Sequence, residues 1–276
     1  MIYASDLDQT LIYSARSIGV PTDSYGIVPA ERHQEKTIAH ISQEALRLLA
    51  YLPSDVQFVP VTTRTELQYR RIHIFQEVIV PQFAVTSNGG NIMKNGVPDR
   101  EWRVHIERRL AAGAASAAEA RTHFAGVLAS DWVLREDLCD ELFYSILIDR
   151  ERMELEAVME KAEAVKPLGW EVSIQGRKIY IVPSVINKWD AIAHIKSRLG
   201  GLEVIASGDS LLDRCLLDQA DYAIAPAHGE LFREKQRDPA SVRTRFTERS
   251  GIFAADEIVN YVHHISQQLK AVNNPA

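Results

Sequence analysis

The stretch MIYASDLDQTLIYS, residues 1–14, places two carboxylates, Asp6 and Asp8, one residue apart at the end of a short apolar run, residues 2–4. In a strand, residues i and i+2 point to the same side. If the chain leaves the strand here, both carboxylates gather in one small volume at its tip. Like charges that close are unfavourable unless a cation or a shared proton relieves them. What the pair is for is the question the rest of the chain has to answer.

Four further apolar runs read as buried parallel strands: VQFVPVT (56–62), QFAVTS (82–87), LEVIASGD (202–209) and YAIAP (222–226). Helical patterns lie between them. SQEALRLLAYL from Ser42 offers an N-cap, an early acid and apolar residues at helical spacing. NKWDAIAHIKSRLGG opens on the capping residue Asn187 and closes on Gly200 and Gly201. Strands alternating with helices predict an α/β fold, with a Rossmann-like parallel sheet covered on both faces.

The middle of the chain differs. Asn95-Gly96 between apolar flanks is a strong hairpin signal, and WEVSIQGRKIYIVP (170–183) predicts a second hairpin turning near Gly176. DELFYSILID (140–149) supplies another strand, with helices expected over 104–128 and 150–165. Hairpins plus helices suggest an inserted α/β cap over 87–185, leaving a core built from 1–86 and 186–276. The charged stretch 233–251 is expected to be a solvated loop before a last helix over 252–269.

The chain has 276 residues, with 31 Lys+Arg against 37 Asp+Glu and a formal charge of −6. So mild an acidity provides no strong basic field, and no nucleic-acid or membrane partner is expected. Cys139 and Cys215 are far apart and form no CxxC, which argues against a disulfide framework or a thiolate metal site. The opening apolar run is too short for a signal segment, and no run approaches a spanning helix. A soluble, cytoplasmic protein is expected; oligomeric state is not legible.

In open parallel sheets ligands bind beyond the carboxyl ends of the strands. There the chain delivers Asp6, Asp8 and Thr10; then Thr62, Thr63 and Arg64; then Ser87 and Asn88; then Gly208, Asp209, Ser210 and Asp213. Carboxylates, hydroxyls and a guanidinium at one rim suit a metal and a phosphate.

DLDQTL resembles the DxDxT signature of the haloacid dehalogenase superfamily, PVTTRT its second motif, Lys188 in INKWDAI its third, and GDSLLD its fourth. Each alone is weak, since an Asp at a strand end is commonly a turn or cap residue. Four in order are not a coincidence. The insertion between the second motif and Lys188 resembles the branch that includes sucrose-phosphate and mannosyl-phosphoglycerate phosphatases.

The resemblance implies a Mg²⁺-dependent phosphomonoester hydrolase acting on a small phosphorylated metabolite, with a sugar phosphate the natural guess. It implies Asp6 as nucleophile through an aspartyl-phosphate, Asp8 as general acid and base, and Thr62, Thr63 and Lys188 on the phosphate. The metal would take Asp6, the Asp8 carbonyl, Asp209 and Asp213. Arg64, Asn88, Lys178 and Tyr180 are candidates for substrate contact. Strand alternation pairs Lys178 with Tyr180 and turns Arg177 away. A phosphotransferase or phosphomutase, or a low-turnover binder of phosphorylated metabolites, stands as the alternative. The chain departs from the usual pattern at Gln9, Thr63 and Leu212, where small residues, glycine and asparagine are common.

Overall fold

The computed structural model describes residues 1–238 and 244–273. Its centre is a five-stranded parallel sheet. In spatial order the strands are Arg245–Phe246, Tyr222–Ala225, Val204–Ser207, Ile2–Ser5 and Gln57–Pro60. The Val61–Val85 bridge adds Phe83–Thr86 alongside the last of these. Alternation along the first strand divides the interior in two. Ile2 and Ala4 face a cluster that contains Ala191, Ile192 and Ile195 of the helix Lys188–Arg198. Tyr3 faces a second cluster, with Leu48 and Leu49 of the helix Gln43–Ala50 and Ile258 and Val262 of the helix Ala254–Asn273. Both capping residues read from the sequence act as caps: Ser42 accepts from the Glu44 and Ala45 amides, and Asn187 from the Asp190 amide.

The middle segment forms a four-stranded antiparallel sheet, ordered Trp170–Gln175, Lys178–Pro183, Phe143–Ile148 and Val133–Cys139. Both predicted hairpins form: Gly176 takes φ 53°, and Asn95 and Gly96 take φ 50° and 74°. The first cluster runs without interruption from the parallel sheet into this one, through Leu142, Phe143, Trp170 and Ile179. Polar ties reinforce the junction. Asp140 accepts from Ser87, Asn91 and the Glu66 amide, and Arg109 reaches Asp190 at 2.5 Å.

Several expectations need correction. The helix expected over 104–128 is three pieces, Arg100–Gly113, Ala117–His123 and Ala125–Leu128. Ser116 caps the second piece by accepting from the Glu119 amide, so the chain restarts there. The helix expected from 150 begins at Leu155. The stretch 233–251 is not one solvated loop: it ends the helix Glu230–Arg237 and supplies the edge strand Arg245–Phe246, while 239–243 lie outside the described residues. The hairpin Ile27–His33/Lys36–Ser42 and the strand Val133–Cys139 are additional elements. No described helix is long and apolar enough to cross a membrane.

Candidate active site

The site is built where four chain segments leave the parallel sheet. After Ser5 the chain turns sharply: the amides of Leu11 and Ile12 both donate to the Leu7 carbonyl, and Gln9 takes φ 62°. His228 fastens this turn, with Nε2 at 3.0 Å from the Gln9 carbonyl oxygen and Nδ1 accepting from the Gly251 amide. The turn holds Asp6 buried while leaving the Asp8 side chain about half exposed.

Lys188, at the first turn of its helix, is 1% exposed and lies between two carboxylates. Its Nζ donates to Asp6 Oδ1 at 2.6 Å and to Asp213 Oδ1 at 2.5 Å. The helix start is placed by backbone packing. Ser87, Asn88 and Gly89 all have positive φ, and a Cβ on Gly89 would fall 2.0 Å from the Asn187 carbonyl oxygen. Only glycine fits there. The second oxygen of Asp213 accepts from the Ser210 amide and hydroxyl at 2.9 and 2.7 Å. Gly208 must also be bare, since a Cβ would meet Asp213 at 2.5 Å.

Asp6, Asp209 and Asp213 offer carboxylate oxygens within 4.8 Å of one another, all buried. Burial pushes the Asp6 carboxyl up to about 7, against the pull of Lys188. Burial, reinforced by Asp6 and Asp213, lifts Asp209 well above the usual carboxylate range. For Lys188, burial works against the charge, but the Asp213 and Asp6 carboxylates outweigh it and keep the ammonium protonated. Thr10 completes the Asp6 environment, its hydroxyl donating to Oδ2 at 3.2 Å. The Asp209 carboxylate accepts no hydrogen bond among the described residues. Buried, mutually repelling oxygens with one carboxylate unengaged are a donor set that fits a hard divalent cation.

Asp8 has a different environment. Desolvation would raise its carboxyl, but the charge and hydrogen bonds of Arg64 outweigh this and hold it below the ordinary range. Arg64 grips it through Nε and Nη2, both at 2.7 Å, and reaches Glu31 through Nη1 at 2.5 Å. Arg64, a candidate for substrate contact, is engaged here with these two acids and does not border the cavity above them. Glu31 is fully buried on the unanticipated hairpin, with the Arg71 Nε 3.3 Å from its other oxygen.

A cavity of about 430 Å³ opens above this floor. Asp6, Asp8, Lys188, Asp209, Ser210 and Thr63 border it from below, and Gln175, Arg177, Lys178 and Tyr180 from the antiparallel sheet. Both Arg177 and Lys178 border it, because Arg177 belongs to the two-residue turn, where strand alternation does not apply. Thr62 is fully buried, its hydroxyl oxygen accepting from the Arg64 amide, and Asn88 is buried with its amide 3.4 Å from the Ile186 carbonyl oxygen. Neither borders the cavity. Leu212 is partly buried and packs against the apolar cluster, so its departure from the usual asparagine is accommodated by the core.

A family model described as Sucrose-6F-phosphate phosphohydrolase matches residues 1–252. No curated protein sequence matches. Among solved structures, the chain is similar to the sucrose-phosphatase of Synechocystis sp. PCC6803 in complex with sucrose and phosphate, with TM-score 0.69 and 16% identity over 96% of this chain and 98% of that one. It is similar to a haloacid dehalogenase subclass IIB sugar phosphatase, with TM-score 0.62, 13% identity, and 96% and 98% covered. A third likeness is to the C-terminal domain of C. albicans trehalose-6-phosphate phosphatase, with TM-score 0.55, 12% identity, and 96% and 92% covered. At such identities these structures establish the fold.

Proposed function

Because the chain belongs to the sucrose-6F-phosphate phosphohydrolase family of haloacid dehalogenase-superfamily phosphomonoester hydrolases, we propose that it releases phosphate from a small sugar phosphate through an aspartyl-phosphate on Asp6. The observation that carries this reading is the buried Lys188 bridge between Asp6 and Asp213 on the floor of the cavity. It aims one Asp6 oxygen while leaving the carboxylate at the cavity surface. An Asp6 oxygen attacks phosphorus, the sugar oxygen departs, and water then attacks phosphorus to free phosphate and regenerate the carboxylate. Lys188 and Thr63 supply positive charge and polar contact to the phosphoryl oxygens, with Thr62 shaping the loop beneath them.

Asp8 delivers a proton to the leaving sugar oxygen and takes one from the attacking water. In the structure both of its oxygens are held by Arg64, so Asp8 has to turn away from that guanidinium to act. Asp6 and Asp209, with the Asp8 carbonyl and Asp213, would hold a Mg²⁺ ion. When bound, the ion supplies charge that relieves the carboxylates and draws the phosphate dianion. The antiparallel segment, about 87–185, acts as a cap whose cavity-facing residues Lys178 and Tyr180 read the sugar.

The test is a panel of sugar phosphates and non-sugar phosphomonoesters with Mg²⁺, scored by kcat/KM. Preference for sugar phosphates over simple alkyl phosphates supports the reading. Turnover only when an acceptor alcohol is supplied would make the protein a phosphotransferase instead.

A further inference from the structure

The cations of the site divide into two groups. On the floor, each cation is committed: Lys188 to Asp6 and Asp213, and Arg64 to Asp8 and Glu31. On the wall the opposite holds. Arg177 in the turn and Lys178 at the strand start border the cavity from the antiparallel sheet, and Arg16 borders it from the loop after the first strand. Arg16, Arg177 and Lys178 make no close ion pair among the described residues; Lys178 lies 5.7 Å from the Tyr180 ring and feels the charge of Asp8 across the cavity. Among the described residues, the acids bordering the cavity are Asp6, Asp8 and Asp209, all on the floor. In an acidic chain whose basic side chains are widely engaged in ion pairs, three cations without a close ion-pair partner around one cavity mark a region prepared for negative charge.

The phosphate being cleaved must sit on the floor, within reach of Asp6. The wall faces the part of the substrate that leaves. A neutral sugar would give these cations nothing to offset; hydroxyls are served by Gln175, Ser14 and Ser17, which border the same space. We propose that the cavity accepts a monophosphate whose leaving portion carries a second anionic group, a carboxylate or a second phosphate, held by Arg16, Arg177 and Lys178. This rests on the phosphatase reading above and narrows its substrate class. Arginine suits either anion, since its planar fork matches both bidentately, while lysine acts as a point charge.

The experiment compares matched pairs. Glucose 6-phosphate against 6-phosphogluconate adds a carboxylate, and fructose 6-phosphate against fructose 1,6-bisphosphate adds a phosphate. The expected result is at least about a tenfold higher kcat/KM for the doubly anionic member of one pair, the scale of one good charge-assisted contact. Which pair shows it identifies the anion. The preference should shrink toward unity in the Arg177→Ala/Lys178→Ala double variant, and should weaken as salt is added. Equal or better use of the singly anionic member in both pairs would overturn the proposal, as would a preference that survives the double variant. If no phosphate is released from any ester, para-nitrophenyl phosphate included, the phosphatase reading fails. Calorimetry of 6-phosphogluconate, glucose 6-phosphate and the two fructose esters on the wild-type protein then decides the subsite alone. Tighter binding of a doubly anionic member upholds it, and equal binding within both pairs overturns it.

Discussion

Asp8 and Arg64, 56 residues apart in sequence, are joined by two parallel hydrogen bonds of 2.7 Å, so that both oxygens of the proposed acid are occupied. Arg64 is shared with Glu31, a carboxylate with no exposure of its own. Glu31 therefore offsets part of the charge that would otherwise fall on Asp8 alone, which in the proposed mechanism makes it a positioning residue for the acid.

Replacing Glu31 by Gln leaves the Arg64 charge to Asp8 and tightens that grip. The Glu31→Gln variant should lose at least about tenfold in kcat on a sugar phosphate, whose alcohol needs a proton to leave. It should lose much less on para-nitrophenyl phosphate, whose oxide leaves unaided. Equal losses on both, with a lowered melting temperature, would reduce Glu31 to a structural role.

Asp8→Asn should show the same split more strongly, since general acid catalysis contributes roughly a hundredfold or more. An equal loss with both leaving groups would assign Asp8 to structure or to metal binding.

The pKa of Asp6 gives a stability prediction with a definite sign. Its folded value, about 7, lies above that of a free aspartate, so the native state binds more protons than the unfolded one between about pH 4 and 7. Stability of the metal-free protein from this group is greatest below pH 4 and is lost as pH rises to 7. Measured in EDTA, the stability of Asp6→Asn relative to wild type should improve across that window and level off above it. A pH-independent difference would contradict the burial argument. Added Mg²⁺ should stabilise the wild type at neutral pH, and Asp209→Ala should raise the Mg²⁺ concentration for half this effect by at least about tenfold, or ~1.4 kcal/mol.

Gln9 supplies an independent check on the signature turn. Its φ of 62° is one that glycine adopts without strain. Gln9→Gly should stabilise the protein by about 1 kcal/mol, read from chemical denaturation, because the backbone contacts with Ile12 and His228 are kept. Destabilisation would show that the Gln9 side chain has work of its own.

Much of this arrangement is legible in the sequence because its parts follow strands. Asp6, Asp209 and the Thr62–Arg64 run each come directly after an apolar segment, and Lys188 directly after a capping residue, so one-dimensional order carries three-dimensional convergence. Glu31 was not legible. Its hairpin turns through Gln34 and Glu35, both with positive φ, and neither residue signals such a turn. The strand Val133–Cys139 was hidden for a related reason, since its Arg135, Glu136 and Asp137 give it no apolar alternation. Alternation does not place Arg177, because it stops at the turn that Arg177 occupies. Nor could spacing show that Arg64 is committed to Asp8 and Glu31, because that pairing depends on a hairpin tertiary contact.

The central claim is that Asp6 carries the phosphoryl group. Rapid acid quenching of the enzyme with a ³²P-labelled ester and Mg²⁺, followed by peptide mapping, tests it most directly. The account predicts base-labile label on the peptide containing Asp6, approaching one per active chain in the first turnover and absent from Asp6→Asn, which should release no phosphate. Full phosphate release with no label on that peptide, or sustained turnover by Asp6→Asn, would contradict it.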